Sequence, residues 1–116
     1  MTQHDPHVSL CQMRDHAREA MQLAQGSTRE GFLADRTINL AVVRLLEIVG
    51  EAASRIPQSE RDKYPQIPWG QVVGLRNRLA HGYDRVDLEI VWQIVTRHLP
   101  SLVTIHGVVS MLLCFL

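Results

Sequence analysis

Apolar residues recur along this chain at intervals of three and four, the period of an amphipathic helix. From about Ser9 to Gln25, Leu10, Met13, Ala17, Ala20, Met21 and Ala24 form one face, with Arg14, Asp15, Arg18 and Glu19 between them. Gly26 and Ser27 end that stretch, and Thr28 to Ala34 reads as a short helix carrying Phe32 and Leu33. The longest pattern runs from about Asp35 to Arg55. It sets Ile38, Ala41, Val42, Leu45, Ile48, Val49, Ala52 and Ile56 down one side. This is the expected central core helix, and Pro57 ends it.

Gln58 to Ile67 is polar, contains Pro65, and reads as a loop. Pro68 suits the first turn of a helix, where its missing N–H costs nothing. That helix carries Trp69, Val72, Val73 and Leu79. Asp84 to Asp87 is a turn, with Asp87 a good N-cap. Leu88, Val91, Trp92, Val95 and Leu99 make the last clear stripe, and Pro100 is expected to kink the chain or restart a helix. No strand alternation and no hairpin turn interrupts these patterns. The fold class is therefore all-α, an antiparallel bundle of about four to five helices.

At 116 residues the chain makes one domain, 1–116, long enough to bury a core without staples. Residues 1–8 read as an N-terminal arm and 101–116 as an apolar tail. Val108 to Leu116 has only Ser110 and Cys114 as polar relief. That run is shorter than the roughly 20 residues a bilayer span needs, and no membrane partner is expected. A terminal helix packed on the bundle or on a partner subunit is the economical reading. Membrane association and an irregular end are the alternatives.

Twelve basic and twelve acidic residues balance, so a broad electrostatic grip on nucleic acid is not indicated and any such contact must be local. Eleven of the twelve basic residues are arginine, the exception being Lys63. Genome base composition accounts for that bias at least as well as phosphate recognition does. Two cysteines, Cys11 and Cys114, stand near opposite ends and make no disulfide framework. Met1 to Leu10 is polar and carries His4, Asp5 and His7, which is not the pattern of a signal peptide. A cytoplasmic protein is the expectation.

Chemistry concentrates in residues 76–83, Arg-Asn-Arg-Leu-Ala-His-Gly-Tyr. The guanidinium of Arg76 is a planar, permanently charged fork suited to phosphate oxygens. His81, with an unperturbed pKa of roughly 6.5, can move protons at neutral pH. Together they are the minimum kit for phosphodiester chemistry without a metal, although the bare spacing also arises by chance. At ~100° per residue, positions five apart on a helix diverge by ~140°. The segment thus makes best sense at a helix end, with Gly82 as a left-handed C′ residue folding His81 and Tyr83 back toward Arg76.

Elsewhere the candidates are weaker. His4 and His7 sit in the terminal arm, and His16, His98 and His106 are single residues on predicted helices, better read as surface or packing positions than as ligands. Turn formation and capping explain Asp84 and Asp87. No Cys/His metal pattern, phosphate-binding glycine loop or nucleophile motif is present, so neither metal nor cofactor is expected.

With these elements placed, the chain resembles the HEPN superfamily and, within it, the HepT-like toxins of nucleotidyltransferase–HEPN toxin–antitoxin systems. The resemblance rests on Arg76-x4-His81-Gly82-Tyr83 and on Glu47-Ile48-Val49-Gly50-Glu51-Ala52-Ala53 in the long helix. Ile67-Pro68-Trp69 and Val91-Trp92-Gln93-Ile94-Val95, with Leu99-Pro100 after it, complete the match. It covers about residues 28 to 102. The apolar end departs from the charged terminal helix typical of the family.

The resemblance implies a metal-independent endoribonuclease acting as a homodimer and held in check by a cognate nucleotidyltransferase antitoxin. The chemistry agrees with a dimer, because cleavage through the RNA 2′-hydroxyl needs one base and one acid, and each chain offers a single good candidate, His81. A two-fold axis beside the motif would bring two histidines and two arginines into one cleft. Arg76 would stabilise charge on the phosphorane oxygens, Asn77 would orient the phosphate or the partner histidine, and Glu51 would steady Arg76 from the neighbouring helix. Tyr83 is, by the same resemblance, the residue that the antitoxin adenylylates; otherwise it is a packing residue of the turn. Two other classes stand beside the enzyme: a non-catalytic module that binds a nucleotidyltransferase, and a purely structural helical dimer.

Overall fold

The computed structural model describes residues 5–80 and 87–100. Among them the chain forms six helices and no strand: α1 (Pro6–Gln25), α2 (Arg29–Ala34), α3 (Arg36–Ser54), α4 (Gln58–Arg61), α5 (Trp69–Ala80) and α6 (Leu88–Gln93). An all-α bundle is what the periodicity predicts. The additional helix is α4, a single turn inside the stretch that reads as a loop. Among the described residues no helix is long and apolar enough to cross a membrane.

Local chemistry sets most boundaries. Asp5 caps α1 by accepting from His7 N at 2.9 Å, with Pro6 in the first turn. The helix therefore starts three residues before Ser9, and His7 belongs to it rather than to an arm ending at residue 8. The apolar stripe begins only at Leu10, so periodicity alone misses this turn. Thr28 caps α2 through Gly31 N at 3.0 Å. Asp35 ends α2 with its backbone N–H and begins α3 with its carboxylate, which accepts from Ile38 N at 3.1 Å. No spare residue separates the two helices. Cys11 lies on α1, and Cys114 lies outside the described residues.

α3 is the centre of the bundle, packed against α1 along one side and α5 along another, with α2 and α6 at its edges. It buries two stripes rather than one. The first, Val42, Leu45, Val49, Ala52 and Ile56, is the stripe visible in the sequence. The second is Asn39, Val43, Leu46, Gly50 and Ala53. Asn39 is buried because its Nδ2 donates to the carbonyls of Phe32 and Leu33, which fastens α2 onto α3.

A small polar clamp joins the end of α3 to the start of α5. Arg61 donates to the carbonyl of Ile56 at 2.8 Å and to that of Ala53 at 3.3 Å, covering the C-terminal end of α3. Its guanidinium lies 5.8 Å from the centre of the Trp69 ring. The Trp69 indole N–H in turn donates to the carbonyls of Arg61 and Tyr64, both at 3.1 Å. Pro68 opens α5 as predicted, its carbonyl accepting from Gln71 N and Val72 N.

Asp87 caps α6 through Glu89 N and Ile90 N, again as predicted. Beyond Gln93 the helix widens into a π-turn, Ile94–His98, and stays helical through Pro100. Leu99 N donates to Ile94 O, five residues back. Pro100 has no N–H to give and its ring crowds the carbonyl four residues earlier. The adjustment thus appears ahead of the proline rather than as a kink at it. Thr96, whose hydroxyl donates to Trp92 O at 2.7 Å, loosens the same turn.

Candidate active site

The motif arginine stands on the penultimate turn of α5, and what fixes it is the crossing of α5 over α3. Gly50 lies at that crossing. A β-carbon on Gly50 would lie 2.9 Å from Arg76 N, 3.2 Å from Arg76 Cβ and 3.2 Å from Val72 O. Backbone atoms that near leave no room for a side chain. Val72, Leu75 and Leu79 bury the rest of the α5 inner face.

From this seat the Arg76 side chain reaches outward and is exposed, as is Asn77 beside it. Arg76 makes no ion pair among the described residues. A guanidinium fixed at its root and uncommitted at its tip is suited to an anionic ligand. Arg78 is exposed on the same helix, but two residues on and therefore ~200° round it, so the two arginines face apart.

Glu51, which the sequence sets beside Arg76 as a steadying group, is ion-paired along its own helix among the described residues. Its carboxylate lies 4.0 Å from Arg44 Nη1, which also pairs with Glu47 at 3.2 Å, so the acidic residues of α3 serve a ladder along their own helix. Arg44 and Glu47, three apart, meet as helix neighbours do, and Glu51 stands one turn beyond Glu47 on the same helix. The α3 residue that packs against the backbone of Arg76 is the preceding one, Gly50. Its signal in the sequence was a lone glycine inside a strong helical pattern, which marks either a weak point or a close approach.

His81, Gly82 and Tyr83 lie outside the described residues. What the structure supplies is the frame on either side: α5 ends at Ala80, and Asp87 restarts the chain as α6. That restart is tied down by Arg29, whose guanidinium meets the Glu89 carboxylate at 2.6 Å and bridges α2 to α6. Hydrogen bonding to Glu89, and then its charge, raises the Arg29 pKa above the ordinary arginine value.

Among the other histidines, His16 Nδ1 lies 2.7 Å from the carbonyl of Gln12, a bond within its own helix. His98 is exposed and lines a groove of about 470 Å³ between α5 and α6, together with Arg78, Gln71 and Gln93 over an apolar floor that includes Val72, Leu75 and Ile94. His4 and His106 lie outside the described residues. Among the described residues no group of three or more His, Cys, Asp or Glu side chains is placed to hold a metal ion.

Comparison with known proteins gives a consistent result. The sequence profile of a family described as "Ribonuclease HepT-like" matches residues 13–106. A Thermococcus cleftensis protein named "Probable ribonuclease HepT" is 40% identical over 88 residues, covering 72% of this chain and 80% of that protein. A Methanocaldococcus jannaschii protein named "Putative RNase MJ0127" is 33% identical over 101 residues, covering 87% of this chain and 84% of its own length. No solved structure matches.

Proposed function

Because the chain belongs to the ribonuclease HepT-like family of the HEPN superfamily, we propose that it is an endoribonuclease that cleaves RNA without a metal. The observation that carries this reading is Arg76, rooted against α3 at the backbone and exposed and unpaired at its tip among the described residues. In the proposed reaction the 2′-oxygen of one nucleotide attacks its own 3′-phosphorus as a base removes the hydroxyl proton. The bond to the departing 5′-oxygen breaks, and an acid protonates that oxygen. A 2′,3′-cyclic phosphate and a 5′-hydroxyl result. His81 is the base, and His81 of a second copy across a two-fold axis is the acid. Arg76 neutralises the charge that grows on the non-bridging oxygens, where a fixed donor is worth most. Asn77 orients the phosphate or the partner's histidine.

Control of the activity is assigned to Tyr83. A cognate nucleotidyltransferase antitoxin would adenylylate its phenol, adding bulk and a phosphate that competes with RNA for the guanidinium. Together the two proteins form a toxin–antitoxin pair. A module that binds the nucleotidyltransferase without cleaving RNA would share every feature except the chemistry.

The test is cleavage of RNA by the purified chain in EDTA, with analysis of the product ends. Cyclic or 3′-phosphate ends are expected, and His81→Ala should lower the rate by about 10²- to 10⁴-fold, the usual worth of a positioned proton-transfer group. Intact RNA, or cleavage that survives His81→Ala, would favour the binding module. Tyr83→Phe should cleave RNA yet resist silencing by the antitoxin and ATP.

A further inference from the structure

An interior glycine weakens a helix, and Gly50 sits inside the C-terminal half of α3, buried. Five glycines fall among the described residues. A β-carbon on Gly26, Gly70 or Gly74 would meet nothing within 4 Å, and one on Gly31 would meet only the hydroxyl of Thr28. Only at Gly50 would it strike another helix, and it would strike backbone. A side-chain tip can swing away from an added methyl, but a helical backbone can yield only by moving as a unit.

The atoms involved are specific. Arg76 N and Val72 O are donor and acceptor positions of one rung of the α5 ladder, and Arg76 Cβ is the root of the motif side chain. A methyl at residue 50 would press on the rung that holds Arg76 and lift its Cα away from α3. We infer that Gly50 is a positioning residue for Arg76: its missing side chain sets how deeply α5 seats, and hence where the guanidinium ends. This inference rests on the ribonuclease reading above. Displacement of a charge-stabilising group by a fraction of an ångström to about 1 Å is enough to slow catalysis by up to 10²-fold. The loss should fall on kcat, because the charge that Arg76 meets develops fully only in the transition state.

The experiment uses the full chain and a fluorescent single-stranded RNA in EDTA. Gly50→Ala, Arg76→Ala and the double variant are compared with wild type. All are also made in a Gly70→Ala/Gly74→Ala background, where alanines in open space strengthen α5 and which should itself cleave at the wild-type rate. Gly50→Ala should keep its helical circular dichroism, lower kcat by about 10- to 100-fold and change KM by less than about threefold. In the Arg76→Ala background the same substitution should lower kcat by less than about twofold, since the group it misplaces is gone. A rate near wild type for Gly50→Ala overturns the inference while leaving the ribonuclease reading intact. So does a loss that repeats in full on top of Arg76→Ala, or an unfolded chain in the strengthened background as well. If Arg76→Ala itself cleaves normally, or wild type leaves RNA whole, the ribonuclease reading fails first and this inference with it.

Discussion

On its α3 flank, α5 is held at backbone distance, with Arg76 N and Val72 O packed against a residue that has no side chain. On its α6 flank, a groove of about 470 Å³ opens beside the same helix, and Val72, Leu75 and Arg78 line it. Val72 belongs to both flanks, its carbonyl meeting Gly50 at the seam while the residue also lines the groove. One side of the helix is thus in backbone contact with its neighbour, while the other borders open space. The candidate catalytic arginine rises from the fixed side. A group that must meet a transition state needs a rigid root, and here the backbone provides it.

The strongest way to break that contrast is to open the seam at its head. Trp69→Ala removes the ring under Arg61 and both indole hydrogen bonds of the clamp. A loss of about 3 kcal/mol is expected, at the low end for a large aromatic because Trp69 is only half-buried. Urea unfolding should show a lower midpoint with an unchanged slope. On the groove side, Ile90→Ala should cost less than about 1 kcal/mol, because Ile90 is 39% exposed and its removal leaves no closed cavity. A cost of several kcal/mol would mean that the groove is filled in solution, and the contrast between the flanks would go.

The smallest effect is electrostatic. Burial raises the Tyr64 pKa above its ordinary value of 10.0, with the neighbouring Glu60 carboxylate adding to it and Lys63 opposing. A phenol whose folded pKa is raised keeps its proton longer in the folded chain than in the unfolded one. Its contribution to stability is therefore complete below the unfolded pKa and is lost as pH rises through the folded one. Tyr64 lies in the clamp, and its carbonyl accepts from Trp69. Between pH 9 and about 11, stability should thus fall slightly faster for wild type than for Tyr64→Phe. Equal slopes would show that the clamp leaves the phenol in water.

The elements themselves were legible in the sequence because capping and periodicity are local. Asp87, Pro68 and the Val42–Ile56 stripe do in the structure what their spacing predicts. The second stripe of α3 was hidden because two of its five members, Asn39 and Gly50, do not read as apolar. One is buried through hydrogen bonds to α2, the other through contact with a helix 26 residues further on, and neither relation is visible from neighbours in the chain. The single turn of α4 was missed for the same reason, since Arg61 is held by carbonyls of α3. At position 76 the type of residue was readable and its packing was not: charge points to Glu51, whose ion pair among the described residues is with Arg44, whereas the contact with the Arg76 backbone is made by Gly50.

The two stripes of α3 also imply an order of assembly. α1 is joined to α3 by residues 26–35, most of them helical in α2, and Asp35 leaves no slack between α2 and α3, so closing that pair leaves little chain to order. The α5 partner is separated by the longer 55–68 connection and by the clamp that must form inside it. The first pair should therefore be in place in the folding transition state, with the Gly50 stripe still bare and waiting for α5 to dock. Measured φ-values should be higher for Met13→Ala on α1 than for Val72→Ala on α5. Until α5 arrives, the uncovered stripe is the surface on which a nascent chain can stick to others. Arg76 takes its place on the bundle only when that docking is complete.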